Sequence, residues 1–415
     1  MVNEILERGG LEVLVEAARE REDWFCAAGA ARGLCTAGEF GRAWTVVEPF
    51  AASGWQPAIR VAIDVLLRWN HVEQALELAH PDGRGQESGD AWRDYAEALV
   101  RAGRVDDAIS VLVPFLRDRR VLRGLVEMTD GQGCDERVLE ELAPLAKDFR
   151  RDPTQCHVGD LWEVLAAQAR VLERSGRADE AIRLLGTDVA VRRYGPENTI
   201  EFYAELLARH GRIEELRDLA TGTRRSTVGI TYVKALENMG RAGEAEAYLR
   251  ELIASGHPGW YEHALVDLRV RQCRFDDAIE AGRHTFDDLH DGNLLQSTMM
   301  LLAEQGRHDK AIDLTEGRSP EFLAENEEWL RSNRWSLMGE AGRAREAIEE
   351  IEALPADEVD DRELTLAWLL AQDGRVEQAV AHLRPLPGRR AAIDLAELLI
   401  RQNRFTEAVA VIPRR

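Results

Sequence analysis

Lysine is nearly absent from this chain: of 53 basic residues only Lys147, Lys234 and Lys310 are not arginine, a bias that reads as codon usage rather than chemistry. Cysteine is scarce too. The five residues Cys26, Cys35, Cys134, Cys156 and Cys273 have no regular spacing, which excludes a disulfide framework and suits a reducing, cytoplasmic setting. No apolar run approaches the roughly 18 residues that a membrane-spanning helix requires, and the first 21 residues carry neither a basic leader nor an apolar signal core. Positive charge is also in deficit. The formal net charge is −22, a field that repels phosphate backbones and argues against a nucleic-acid partner.

What the chain does have is repetition. Leu99 is followed by Gly103, Arg104, Ala108 and Ile109; the same spacing returns as Leu172, Gly176, Arg177, Ala181 and Ile182, and again as Leu302, Gly306, Arg307, Ala311 and Ile312. Taking the small residue five after each turn glycine as anchor gives Ala43, Ala75, Ala108, Val138, Ala181, Leu216, Ala245, Ala278, Ala311, Ala347, Ala379 and Ala408, a period of about 33 residues. The long gap after Val138 places an insertion near residues 150–160. On either side of each turn the apolar residues fall at three- and four-residue steps, as in Trp92, Tyr95, Ala96 and Leu99 and then Val105, Ala108, Ile109 and Leu112, so each unit reads as helix, tight turn, helix. Asn70, Cys273 and Asn403 stand where the glycine belongs and must take its left-handed backbone, at some strain for Cys273. No segment reads as a strand.

The spaced Leu, Gly, acid, Ala and Ile, with a further Ala twelve residues before the anchor at Ala31, Ala96, Ala169, Ala204, Ala367 and Ala396, resemble tetratricopeptide repeats of the bacterial type. Ankyrin repeats share the period but would need a Thr-Pro-Leu-His element, which does not occur. The resemblance implies an all-α, right-handed α-solenoid of about twelve helix-turn-helix units, with residues 1–22 as an N-terminal half-repeat cap and 23–415 as one continuous body. It also implies a concave face lined by the first helix of each unit, and hence a non-enzymatic scaffold or adaptor for protein or peptide, or alternatively a peptide-sensing regulator. The Lys and Asn spacing of the family's carboxylate clamp is not present; Arg60/Asp64 and Arg93/Glu97 occupy those places.

Seven residues before the anchors stand Arg68, Arg101, Arg174, Arg209, Arg271 and Arg401, an arginine ladder on one face. Most members follow an acid by four residues (Asp64, Glu97, Glu205, Asp267, Glu397), a spacing that supports intrahelical pairs. Arg170, Arg174 and Lys234 lack such an acid in register and Arg93 precedes Glu97 in the weaker order, so these residues are the candidates for receiving an acidic segment. Trp260, Trp329 and Trp368 fall on the same face as candidate aromatic anchors. Together with Arg101, Arg209 and Arg271 they complete the expected groove. The enzyme alternative rests on Asp287, Asp288 and Asp291, whose DDxxD spacing resembles the metal-diphosphate motif of terpene synthases but lacks its companion motif. Cys156 and His157 are too few and too close for a metal site, so no metal, cofactor or membrane is expected. The last helix, carrying Phe405, Ala408, Val409, Val411 and Ile412, has no polar helix after it, and a partly exposed edge that packs against a second copy or fits a partner is expected there.

Overall fold

A computed structural model of the chain describes residues 1–81, 89–151, 160–191, 197–222, 225–255, 260–287 and 292–412. Among the described residues there are 26 α-helices and no strand. They follow one another as antiparallel hairpins, for example Gly89–Arg101 with Val105–Leu112, Arg362–Gln372 with Val376–Leu383, and Arg389–Arg401 with Phe405–Val411.

The turn explains the signature. Gly103, Gly176 and Gly306 have φ of +78°, +80° and +70°, and so do the three substitutes in kind, Asn70 at +65°, Cys273 at +59° and Asn403 at +60°. That left-handed residue lets the chain fold back onto the last helical turn. The N–H of Arg104 donates to the carbonyl of Leu99 at 2.8 Å and that of Gly103 to Val100 at 2.9 Å; Arg177 to Leu172 and Arg307 to Leu302 repeat the first bond, both at 2.8 Å. The signature leucine therefore contributes a capping carbonyl while burying its side chain. Every anchor from Ala43 to Ala408, including Val138 and Leu216, has no exposed surface, because a small side chain there brings the paired helices together.

The described chain divides into two compact units. One comprises Leu14–Asn238 with Val2; the other comprises Met239–Arg415 together with Met1 and Asn3–Val13. In the second unit the C-terminal edge is partly covered, by residues from the start of the chain. A Cβ placed on Gly10 would stand 3.0 Å from the Phe405 ring and 2.5 Å from Ile5, and Arg8 donates to the carbonyl of Arg401 at 3.4 Å. Residues from the chain's start thus meet the last helical pair, while Phe405, Val411 and Ile412 stay partly exposed.

Candidate functional site

The residue after the left-handed turn position caps the second helix with its backbone and, in several units, is an arginine whose guanidinium reaches an acid one turn on. Arg104 reaches Asp107 at 2.7 Å, Arg177 reaches Glu180 at 2.8 Å, Arg241 reaches Glu244 at 2.7 Å, and Arg404 reaches Glu407 at 2.7 Å. Several of these arginines, or their neighbours, also bridge to the preceding hairpin: Arg177 to Glu136 at 3.0 Å, Arg212 to Asp179 at 2.9 Å, and Arg404 to Glu377 at 3.5 Å. Hydrogen bonds from Arg404 and then Arg384 hold the Glu407 carboxyl down at about 2. This edge is occupied by its own ion pairs.

The arginine ladder is paired as well except at Arg401, three members between hairpins and two within their own helix. Arg68 pairs with Asp64 at 3.1 Å and Arg101 crosses to the same carboxylate. Arg209 grips Glu173 with two bonds of 2.9 Å, and the hydrogen bond from Arg209 holds that carboxyl below its usual range against the effect of burial. Arg271 pairs with Asp267. Arg174, expected to be unpaired, is not. Its largely buried guanidinium binds Asp135 at 2.7 Å and Thr129 Oγ1 at 3.0 Å, and donates to the carbonyl of Val126. Thr129 takes the place of the signature leucine in its hairpin, and the guanidinium occupies the polar space this creates. Arg93 lays its stem on Gly124 and stands 3.8 Å from Asp94.

Arg170 and Lys234 remain available. Arg170 is exposed, with its guanidinium 4.8 Å from the centre of the Phe202 ring, and Lys234 is exposed; neither takes an ion pair among the described residues.

Of the tryptophans, Trp329 is half-buried and the side chain of Trp260 lies outside the described residues. Trp368 is 37% exposed. Its ring is seated against Gly339, where a Cβ would fall 2.4 Å from the ring, so glycine at that point is what admits the indole. The ring lines a groove of about 300 Å³ between three first helices, Pro320–Glu340, Arg362–Gln372 and Arg389–Arg401, with Leu383 of the helix Val376–Leu383 also in its lining. Ser332 and Ser336 line it from the first of these, Thr365 and Ala371 from the second, and Arg390, Asp394, Glu397 and Arg401 from the third. Arg390 is held by Asp361 at 3.0 Å. The Glu397–Arg401 pair expected from the spacing is not formed, and Asp394, Glu397 and Arg401 take no ion pair among the described residues.

The sequence reading missed one cluster. Glu246 and Arg269 are 7% and 8% exposed and bond to one another at 2.7 and 3.0 Å; Arg250 adds a contact of 2.8 Å and Arg274 another of 2.8 Å, while Arg269 also donates to the carbonyl of Asp277 at 2.6 Å. Burial pushes the Glu246 carboxyl up, but the hydrogen bonds from Arg274 and Arg269 outweigh it and leave the carboxyl below its ordinary value. The signal was present in the repeat itself. Glu246 follows anchor Ala245 where Ile109, Ile182 and Ile312 stand in other units, and Arg269 occupies the place of Leu99, Leu172 and Leu302. Both apolar signature positions have been exchanged for charges, which then pair.

Burial, with Asp23 adding, pushes the Cys26 thiol up to about 12, and burial also raises Cys35 and Cys134. Among the described residues no three His, Cys, Asp or Glu side chains are placed to hold a metal ion. The Asp287 side chain, Asp288, Asp291, Cys156 and His157 lie outside the described residues.

A chain of antiparallel helical hairpins with glycine-type turns and buried alanine anchors is an α-helical repeat protein. The tetratricopeptide repeat family model matches residues 162–187, 364–385 and 389–412, the last two spanning the helices that carry Trp368 and Asp394. Those three segments carry tetratricopeptide-like repeats. Comparison with curated proteins yields no match. Among solved structures it is similar to Naa15/Naa10 bound to HypK-THB, at 15% identity over 93% of this chain and 67% of that chain with a TM-score of 0.42. It is also similar to the pentatricopeptide repeat protein PPR10 from maize, at 15% identity over 93% and 57% with a TM-score of 0.37, and to the Cut9-Hcn1 hetero-tetramer of APC/C, at 11% identity over 100% and 93% with a TM-score of 0.26.

Proposed function

We propose that the chain is a non-enzymatic scaffold that binds a partner polypeptide on the face formed by the first helices of its hairpins. The observation that carries this reading is the groove around Trp368, where an exposed indole, two serine hydroxyls and unpaired charged side chains converge from three consecutive first helices. A rigid aromatic beside unsatisfied polar groups is the composition of an interface hot spot. Affinity capture from native lysate with the wild-type chain and with Trp368→Ala tests it: a partner protein should be retained by the first and lost by the second. Equal recovery would move binding away from this face.

A second surface is supported by Arg170 and Lys234, the ladder residues left without ion pairs, for an acidic segment. Charge-assisted bonds to carboxylates would supply the affinity. The net charge of −22 favours protein over nucleic acid as the partner. No described helix is long and apolar enough to cross a membrane, and the described cysteines are free thiols, which fits a cytoplasmic setting.

A further inference from the structure

Along the first helices several acids are matched to arginines, while Glu97 and Glu201 take no ion pair among the described residues. Asp64 is held by Arg68 and Arg101, Asp94 by Arg60 at 2.8 Å, Glu163 by Arg123 at 2.8 Å, and Glu173 by Arg209. In the helix Arg389–Arg401 the two acids that line the groove are both unmatched. Asp394 and Glu397 stand three residues apart, on one face and within one turn, and neither has a cation. Two like charges at that spacing weaken a helix slightly rather than support it. Arg401 lies seven residues beyond Asp394, about 10 Å along the axis, and Arg390, which also lines the groove four residues before Asp394, is engaged by Asp361 at 3.0 Å, so neither arginine pairs with Asp394.

The wall beside these carboxylates is the Trp368 ring. Gly339 lets the ring lie against the helix Pro320–Glu340, so the indole is fixed rather than free to fold away, and over a third of it remains open to solvent. An indole face attracts cations through its quadrupole, and the attraction adds to that of nearby carboxylates.

We propose that the Trp368 groove receives a cationic side chain of a partner polypeptide, arginine or lysine, lying on the indole with its charge between Asp394 and Glu397. The inference rests on the scaffold reading above and names the chemistry of what that groove takes. It is opposite in sign to the acidic segment assigned to Arg170 and Lys234, and it agrees with the acidity of the whole chain and with the excess of 15 acids over 6 arginines between Glu316 and Glu363. Ser332 and Ser336 on the facing wall offer hydroxyls to the backbone of the segment that carries the cation.

The test is a titration of the ¹⁵N-labelled full chain, followed at the tryptophan indole N–H resonances, with four capped tripeptides, Gly-Xaa-Gly, in which Xaa is arginine, lysine, norleucine or glutamate. The Trp368 resonance is identified by its loss in Trp368→Phe. Arginine and lysine peptides should shift it saturably, glutamate should not, and norleucine should do so at least about twofold more weakly than lysine. Asp394→Asn with Glu397→Gln should weaken the arginine peptide by about two- to fivefold while leaving the other indole resonances in place, and Arg401→Ala should not weaken it. Equal response to norleucine and lysine, or an unchanged affinity in the double variant, would overturn the cationic assignment and leave the scaffold reading standing. A response to glutamate in place of arginine would reverse its sign. Silence of the Trp368 resonance toward all four peptides overturns the assignment, and the lysate capture with Trp368→Ala then decides the scaffold reading separately.

Discussion

At the scale of the residue, two arginines that look alike in sequence have different tasks. Arg174 satisfies Asp135, Thr129 and the carbonyl of Val126 in a largely buried position, so Arg174→Ala leaves those groups without their partner and should lower stability by about 1–3 kcal/mol in urea unfolding. Arg170→Ala and Lys234→Ala should change it by less than about 0.5 kcal/mol, since both are exposed and free of ion pairs. A fall with Lys234→Ala equal to that with Arg174→Ala would contradict this division. The Glu246–Arg269 pair permits a sharper test. Removing one partner, as in Glu246→Ala, strands a buried charge and should cost about 3–5 kcal/mol, whereas restoring both signature residues with Glu246→Ile and Arg269→Leu should be neutral or stabilising. The sign of the pH effect follows from the lowered Glu246 pKa. Its contribution is complete above the unfolded carboxylate value of about 4.3 and is lost as pH falls through the lower folded value, so the restored double variant should lose less stability than wild type between pH 5 and pH 3, each roughly chosen to bracket that value. Parallel losses in the two proteins would show that Glu246 is not the titrating group.

At the scale of the element, the turn and the anchor are where single atoms matter. Cys273 has a φ of +59° where glycine is at ease, and Cys273→Gly should raise stability by up to about 1 kcal/mol, the relief of left-handed strain being partly offset by the freedom glycine has when unfolded. Gly306→Ala, at φ +70°, should go the other way by about 1 kcal/mol. The anchors are stricter. Ala311 is fully buried between paired helices, and Ala311→Leu must push them apart, at a cost of about 1–3 kcal/mol read as a lower urea midpoint. A midpoint unchanged in Ala311→Leu would mean that the hairpin is not closely packed at its anchor.

At the scale of the whole molecule, two properties stand out: a strong negative field and a C-terminal pair that is met by residues from the beginning of the chain. The first bears on partner choice, since acidic surfaces accelerate association with basic partners and slow it with phosphate backbones. The second bears on solubility. Phe405 lies against Gly10, and Ala408 and Val409 are buried. Deleting residues 1–10 should expose this apolar edge and produce concentration-dependent self-association in light scattering, which Phe405→Glu placed in the same deletion should suppress. A deletion variant that stays monomeric at high concentration would show that the N-terminal contact is dispensable.

The sequence by itself determined what is local. The 33-residue rhythm, the helix pairs, the left-handed turns including Asn70, Cys273 and Asn403, and the buried anchors all follow from residues within about ten positions of one another, where backbone sterics and helical periodicity decide the outcome. Which arginine is spoken for was not local. Arg101 takes Asp64 from the neighbouring hairpin, and Arg174 finds Asp135 and Thr129 some forty residues away, about one hairpin repeat. Trp368 was legible as a face position, but its exposure depends on Gly339 lying beneath it, and the freedom of Asp394 and Glu397 depends on Arg401 not turning back to pair. The partial cover of the C-terminal edge was not legible because it lies at the other end of the chain. Charged side chains are long and choose among partners by proximity in space, so only tertiary structure could decide which of them remain available to bind.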